Sequence, residues 1–272
     1  MKIYVSADIE GVAGVVTPQQ GTPGNGEWER ARRLMTEEVN AAIAGAFDGG
    51  ASDVLVNDSH GSMCNLLPEL LDPRAELVLG KPKVMNMAAG LDETFDAVFF
   101  VGHHARATGP GVLAHTTNSF AFREIRLAGQ PLGEPGIYGA WAGHLGVPVA
   151  LVTGDDVTAE ENREHFPAAE FCVVKTALGN RAARQPAPEV ARNSIRLAAS
   201  RATSRIADLK PFVIEGPFVA EFEMTTSPLA DLAAIVPAVR ERVGTTVSFD
   251  CDHVGEAIGW MNALSALSAM LR

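Results

Sequence analysis

The chain has 272 residues, of which 47% are hydrophobic and 20% are charged, a balance typical of a folded globular protein. Its 33 acidic residues outnumber its 22 basic ones, giving a formal net charge of −11, and such acidity argues against general nucleic-acid binding. The sequence contains no apolar run of the roughly 18 residues that a transmembrane helix needs, so no membrane partner is expected.

The cysteines and the N-terminus indicate the compartment. Cys64, Cys172 and Cys251 are odd in number and far apart, and no CxxC spacing occurs, so a disulfide framework is not indicated. A strand pattern begins at once in residues 1–5, which leaves no room for a signal peptide. We therefore expect a reduced, cytoplasmic protein.

The first part of the chain alternates short apolar runs with helical patterns. Strands are predicted at 3–7, 53–57, 97–101, 149–152 and 170–175, and helices at 27–48 and 137–145. The apolar runs lack alternation, which indicates strands buried on both faces, and strands separated by helices favour a parallel sheet with right-handed crossovers.

The pattern changes after a stretch rich in Arg, Ala and Pro at 180–190, which indicates a linker. Helices are then predicted at 189–207, 229–242 and 253–271, and strands at 212–214, 218–224 and 245–249. We therefore predict an α/β fold with a mostly parallel sheet and flanking helices, plus a smaller C-terminal α+β region. The expected division is an α/β domain at 1–185 and a smaller α+β domain at 186–272.

Polar side chains follow the first four predicted strands. Asp8 and Glu10 follow the first strand, His60 the second, and His103-His104 the third. In a parallel sheet these strand ends share one edge, where open α/β folds bind their ligands. Carboxylates and imidazoles together suit zinc, and also manganese or cobalt.

The spacing within these segments leaves some roles open. Asp8 and Glu10 are two residues apart, so in extended backbone both carboxylates face one site and need a cation or a proton between them. His103 and His104 point apart, so one ligand is expected from this pair, and periodicity does not say which.

Two further positions have a structural interpretation from the residues alone. Asp155 and Asp156 follow the fourth strand and precede a helix, where they are expected to cap its N-terminus. His115 has apolar or small neighbours, which indicates a buried imidazole.

Six short segments, in this order along residues 3–156, resemble the zinc-dependent, self-compartmentalising D-aminopeptidases. They are Ser6–Gly14, Val56–His60, Gly102–Ala107, Pro110–His115, Gly133–Glu134 and Gly154–Asp156. The resemblance implies a two-zinc site with Asp8 as the bridge, and its ligands would be Asp8, Glu10, His60, His104 and Glu134.

The resemblance also assigns the remaining roles. His104, which precedes Ala105-Arg106-Ala107, matches the ligand position of the family, and His115 matches its proposed catalytic histidine. The family assembles as a homo-oligomeric ring, a double-stacked decamer, so a ring-shaped homo-oligomer is expected here.

The implied function is removal of the N-terminal residue of short peptides, D-amino-acid peptides such as D-Ala-D-Ala, by metal-activated water. The D-stereochemistry depends on the resemblance alone. Alternatives are a metal-dependent amidohydrolase of small amides and a non-catalytic metal-binding ring scaffold. A magnesium or manganese phosphohydrolase is disfavoured because imidazoles favour zinc over magnesium.

Overall fold

The computed structural model describes residues 1–272, which form two β-sheets and six α-helices. Strands β1 to β12 span Lys2–Ala7, Asp53–Asp58, Ala75–Val78, Ala97–Val101, Phe122–Leu127, Gln130–Pro131, Val149–Asp155, Glu170–Gly179, Ala182–Arg184, Phe218–Met224, Glu241–Val243 and Thr246–Cys251. Helices α1 to α6 span Gly26–Asp48, Glu134–His144, Asp156–Asn162, Pro188–Ser204, Ser227–Ala233 and Val254–Ser268.

The larger sheet has seven strands in the order β3-β2-β1-β4-β7-β8-β9. All neighbours in it run parallel except β8 and β9, which form an antiparallel pair. Every residue of β4 is buried, as expected for a central strand covered on both faces. The mostly parallel α/β sheet predicted from the apolar runs is therefore confirmed.

Both faces of this sheet are covered by apolar layers. Because side chains alternate along a strand, Ile3 and Val5 of β1 pack with α1 and α4 on one side. Tyr4 of β1 and Phe100 of β4 pack on the other side, with the second sheet, α2 and α6. The site-bearing strands are thus held rigidly between two hydrophobic cores.

The second sheet is antiparallel, with the strand order β11-β12-β10-β5-β6. It confirms a smaller α+β region, but its strands β5 and β6 precede residue 185, while α4 follows that residue and packs against α1. The two sheets therefore do not divide the chain at one point. The division into a metal-binding catalytic domain at 1–185 and a smaller domain at 186–272 that contributes to assembly stays a prediction.

None of the helices combines the length and the hydropathy needed to cross a membrane.

Two predicted elements of the C-terminal part are wrong. The helix predicted at 229–242 ends at Ala233, because Pro237 lacks an amide hydrogen and breaks the pattern, and β11 follows within the same span. Residues 212–214 form no strand. The Phe212 ring packs against His165 and Phe166 and Ile214 is buried, but Val213 is exposed, so the run makes its apolar contacts without strand pairing.

Strands β3, β5, β6, β9 and β11 were not expected from the sequence. In β5 only Phe122, Ile125 and Leu127 are buried, so the apolar residues do not keep a strict alternation. Strand β9 lies inside the predicted linker at 180–190 and pairs only with β8.

Candidate metal centre

The carboxyl ends of β2, β1, β4 and β7 lie side by side. Ala7 at the end of β1 pairs with Asp58 of β2 and Val101 of β4. The segments that follow these strands therefore begin at one edge of the sheet, as the sequence predicted.

Backbone hydrogen bonds hold the segments after β1 and β4 together. The amide of Asp8 donates to the Val101 carbonyl at 2.8 Å, and the amide of Gly11 donates to the Gly102 carbonyl at 2.7 Å. Gly102 has φ +73°, and a Cβ there would lie 2.3 Å from the Asp8 carbonyl oxygen. Only glycine allows the two chains to approach this closely.

Asp8 lies between two pairs of side chains. Its Oδ1 is 3.2 Å from Nδ1 of His60, and the same Nδ1 is 2.9 Å from Oε2 of Glu10. Its Oδ2 is 3.4 Å from Nε2 of His104, and that Nε2 is 3.5 Å from Oε2 of Glu134. The centre therefore consists of two carboxylate–imidazole pairs that share Asp8.

Glu134 reaches this centre from the first residue of α2. It does not cap that helix, whose N-cap is Gly133. Its Oε1 accepts a hydrogen bond from the Thr117 amide at 2.5 Å, and this bond leaves Oε2 facing His104. Because Glu134 begins a helix and does not end a strand, the strand-end argument could not find it.

Main-chain carbonyls fix the orientation of the two imidazoles. Nε2 of His60 lies 2.8 Å from the Gly21 carbonyl, and Nδ1 of His104 lies 2.9 Å from the Ala105 carbonyl. A carbonyl only accepts, so these nitrogens carry the ring protons in the neutral form. Nδ1 of His60 and Nε2 of His104 therefore present their lone pairs to the centre, as metal-ligating histidines do.

The donor set fits a metal cation. While His60 and His104 are neutral, Oε2 of Glu10 and Nε2 of His104 are buried without a hydrogen-bond partner, and such orphaned atoms are costly unless something satisfies them. One ligand atom each from Asp8, Glu10 and His104 lie within 4.8 Å of one another. Carboxylates and neutral imidazoles at this spacing are the ligands that zinc takes.

His103 also lies near the centre. It is fully buried against Phe100, and its Nε2 lies 3.2 Å from the Ser6 carbonyl while its Nδ1 has no partner. One of its nitrogens also lies within 4.8 Å of ligand atoms of Asp8 and Glu134. Geometry therefore leaves both histidines near the centre, with His104 between two carboxylates.

We expect substitution to separate the two histidines. His104→Gln should lower bound zinc by about one ion per chain, because Nε2 of His104 faces both Asp8 and Glu134. His103→Gln, the matched change, should keep both ions, because the His103 ring is anchored to Ser6 and packs on Phe100. Metal analysis of the purified proteins checks this, and the reverse pattern would make His103 the ligand.

The charge state of the metal-free centre gives a second expected result. Burial lowers the pKa of His60 and His104, but Glu10 beside His60 and Glu134 beside His104 outweigh burial and raise both pKa values well above the usual range. Both imidazoles are therefore protonated in the metal-free protein at neutral pH. Zinc requires them neutral, so its binding should release about two protons, and its affinity should rise with pH. Calorimetry in buffers of different ionisation enthalpy measures this release, and a buffer-independent enthalpy would contradict it.

His115 lies on the open side of the centre. Its ring stacks on His104 with centroids 4.1 Å apart, and its Nδ1 lies 3.0 Å from the Leu113 carbonyl. In the neutral ring Nδ1 therefore carries the proton, which leaves Nε2 as an acceptor. Burial and then His104 lower the pKa of His115, so the ring is neutral at pH 7 and can accept a proton.

The centre opens into a cavity of about 830 Å³. Asp8, Glu10, His60, His115 and Glu134 line one part of it, so a small molecule that enters meets all of them. All three carboxylates and the unprotonated nitrogen of the His115 imidazole are then within reach of one substrate.

Asp155, at the end of β7, belongs to the framework and not to the centre. Its Oδ1 accepts from the amide and the hydroxyl of Thr158, which confirms the predicted capping role at α3. Its Oδ2 accepts from the Val112 amide at 2.6 Å. Asp155 thus anchors the segment that leads to His115.

A buried lysine holds the segment that carries Glu10. Lys175 of β8 is only 2% exposed, and its Nζ donates to the carbonyls of Glu10, Val12 and Val15 at 2.5, 3.0 and 2.6 Å. No sequence pattern indicated this role, because the contact joins residues about 160 positions apart.

Lys175→Met should lower the free energy of unfolding by about 3 kcal/mol, because it leaves buried carbonyls without a donor. Urea denaturation of the metal-free protein measures the change. Lys210→Met, at an exposed lysine, is the matched control and should alter stability by less than about 0.5 kcal/mol. Equal denaturation midpoints for the two variants would contradict the anchoring role.

A buried set of carboxylates and imidazoles at the carboxyl ends of parallel strands is the kind of site that metal-dependent hydrolases use. The sequence matches the model of the Peptidase_M55 family, described as D-aminopeptidase, over residues 1–263. The chain therefore belongs to the D-aminopeptidase family, as the sequence motifs indicated.

Two comparisons support the same assignment over the full length. A D-aminopeptidase of Bacillus subtilis (strain 168) is 36% identical over 269 residues, covering 98% of this chain and 98% of the relative. A solved structure, the Zn-dependent D-aminopeptidase DppA from Bacillus subtilis, described as a self-compartmentalizing protease, superimposes with a TM-score of 0.96. It is 35% identical and covers 99% of this chain and 98% of its own.

Proposed function

We propose that the chain is a zinc-dependent aminopeptidase that removes the N-terminal D-residue from short peptides such as D-Ala-D-Ala. The observation that carries this proposal is the pair of carboxylate–imidazole sites that share Asp8. Family membership and the zinc dependence stated for the related DppA support it.

The proposed ligands divide into two groups around the bridge. Glu10 and His60 would hold one zinc ion, and His104 and Glu134 would hold the other, with one oxygen of Asp8 facing each group. Two bound zinc ions would acidify a water molecule and polarise the scissile carbonyl.

The chain itself supplies the remaining chemistry. Nε2 of His115 can take a proton from the attacking water, since its Nδ1 proton is held by the Leu113 carbonyl, and can later deliver it to the leaving amine. A carboxylate of the centre can accept a hydrogen bond from the free amine of the substrate, which restricts cleavage to the first residue.

A substrate panel with added zinc tests the proposal. D-Ala-D-Ala and D-Ala-Gly-Gly should be hydrolysed, whereas L-Ala dipeptides and a phosphomonoester should not. Cleavage of L-peptides alone would contradict the proposed D-specificity and support the proposed zinc-dependent peptide hydrolysis. Cleavage of small amides without any peptide hydrolysis would favour an amidohydrolase, and zinc binding without hydrolysis would favour a ring scaffold.

We further propose that the chain works as a homo-oligomer, a ring-shaped decamer. The related DppA is described as self-compartmentalizing, and large apolar side chains are exposed here: Val84 is 88%, Ile235 73% and Met270 72% accessible. Sedimentation velocity measures the assembly, and a monomer at micromolar concentration would contradict it. A cytoplasmic location stays a prediction.

A further inference from the structure

Cationic side chains line the part of the cavity that lies outside the metal centre. Four basic side chains are among its lining residues: Lys81, Lys83, Arg181 and Arg272. Burial lowers the pKa of Lys83 to about 8, so its ammonium is still mostly charged at pH 7. Apart from the three proposed carboxylate ligands, no acidic side chain lines the cavity. This local excess of positive charge stands out in a chain with 33 acidic and 22 basic residues.

These four cations lack partners of opposite charge. The chain forms many ion pairs on its surface, but none of the four takes part in one. Their charge is therefore available to an anionic group that enters the cavity.

Lys81 is attached to the residue that follows a proposed zinc ligand. Its Nζ donates to the Gly61 carbonyl at 2.9 Å, and Gly61 follows His60 directly. The side chain is exposed to the cavity. Because an ammonium has three N–H donors, Lys81 can bind a further acceptor without giving up this contact.

Lys83 is fixed beside it by the end of β2. Its Nζ donates to Oδ1 of Asn57 at 2.5 Å and to the Asp58 carbonyl at 2.7 Å, and the side chain is half-buried. These bonds use two donors and hold the ammonium in one place. The third donor remains for a ligand, so little conformational entropy is lost when one binds.

We propose that Lys81 and Lys83 form a subsite for the free C-terminal carboxylate of the peptide substrate. The inference rests on the proposed function, in which the N-terminal amine and the scissile bond lie at the metal centre. Each further residue of an extended peptide adds about 3.3–3.6 Å, so a dipeptide or tripeptide carries its carboxylate out of the centre and into the cationic part of the cavity. The enzyme would thereby select short peptides with a free carboxyl end.

Matched acid and amide substrates test this subsite. The kcat/KM values of D-Ala-Gly and D-Ala-Gly-Gly are compared with those of the corresponding C-terminal amides, for the zinc-loaded wild type, Lys81→Gln, Lys83→Gln, Lys81→Arg and Lys210→Gln. We expect the wild type to prefer the acids by roughly a hundredfold, through KM, because each of the two lysines provides one charge-assisted hydrogen bond that contributes about tenfold. The preference should weaken with added salt, because exposed charges are screened.

The variants should change the acid-to-amide ratio selectively. Lys81→Gln or Lys83→Gln should reduce the acid-to-amide ratio about tenfold, whereas Lys81→Arg should retain most of it. Lys210→Gln, at an exposed lysine outside the cavity, should leave the ratio as in the wild type. Zinc content and circular dichroism establish that each variant is folded and loaded.

Three outcomes would overturn the subsite while leaving the aminopeptidase intact. The first is equal kcat/KM for acids and amides in the wild type, and the second is an unchanged acid-to-amide ratio in both glutamine variants. The third is a kcat/KM for D-Ala-D-Asp amide, whose only carboxylate is a side chain, as high as that of the peptide acids. If neither acids nor amides were hydrolysed by the zinc-loaded wild type, the proposed function itself would fail, and the subsite would fall with it.

Discussion

Asp8→Ala is expected to abolish peptide hydrolysis, with kcat/KM falling by more than about a thousandfold. Asp8 has one carboxylate oxygen facing His60 and the other facing His104, so its removal weakens both proposed zinc positions at once. Zinc content should fall together with activity, and metal analysis and kinetics on D-Ala-D-Ala measure the two effects.

This loss should not come from unfolding. Burial and the charge of Glu10 raise the pKa of Asp8 to about 7. In the metal-free protein, ionisation of this carboxyl group therefore lowers the free energy of unfolding as pH rises from the pKa of the unfolded chain towards 7. Removing Asp8 should therefore leave the metal-free fold intact at neutral pH. Asp252→Ala, at an exposed aspartate, is the control. If Asp8→Ala retained two zinc ions, Asp8 would not be the bridge.

His115→Ala should have the opposite combination of effects, with zinc retained and kcat lowered by roughly 10²- to 10⁴-fold. The ring stacks on His104 and lines the cavity, and its Nδ1 is held by the Leu113 carbonyl, which leaves Nε2 free. Removing it therefore takes away a proton acceptor and leaves all proposed ligands in place.

The pH profile identifies the role of His115. Burial lowers its pKa below the usual value, so the neutral base persists through neutral pH and is lost only under more acidic conditions. In the wild type kcat/KM should fall as pH drops through that lowered pKa, and this acidic limb should disappear in His115→Ala. His144→Ala is the matched histidine control. Loss of zinc in His115→Ala would instead show that the residue is a metal ligand. Its nitrogen lies within 4.8 Å of ligand atoms of His104 and Glu134.

The parts of this fold that could be predicted from sequence are those dictated by local pattern. Strands β1, β2, β4 and β7 follow from apolar runs, and α1 follows from its periodicity. The polar residues Asp8, His60 and His104 come together because parallel strands end at a common edge. Strand β5 was not predicted because its apolar residues do not alternate strictly with polar ones. The helix predicted at 229–242 was too long because Pro237 interrupts the helical pattern.

Other parts of the site depend on contacts that no local pattern reports. Glu134 starts a helix, and His115 lies in a loop whose neighbours suggest an inert buried ring, so both roles came only from the family resemblance. Lys175 lies on β8 and donates to the carbonyl of Glu10, 165 positions earlier in the sequence. Lys81 is a candidate for substrate binding only because the fold places its ammonium at the Gly61 carbonyl, next to His60. Such roles require the tertiary structure.

The imidazoles of His60, His104 and His115 each have one nitrogen within hydrogen-bonding distance of a main-chain carbonyl. Every amino acid at the position that supplies this carbonyl offers the same acceptor. Substitutions at Ala105 or Leu113 that preserve the path of the backbone would therefore leave the protonation of the His104 and His115 rings intact. Gly21 is the exception, because a Cβ there would lie 3.0 Å from Nε2 of His60 and would crowd that ring. Insertions or deletions in these loops would displace the acceptors, so the chemistry of the centre should tolerate sequence divergence far better than changes in loop length.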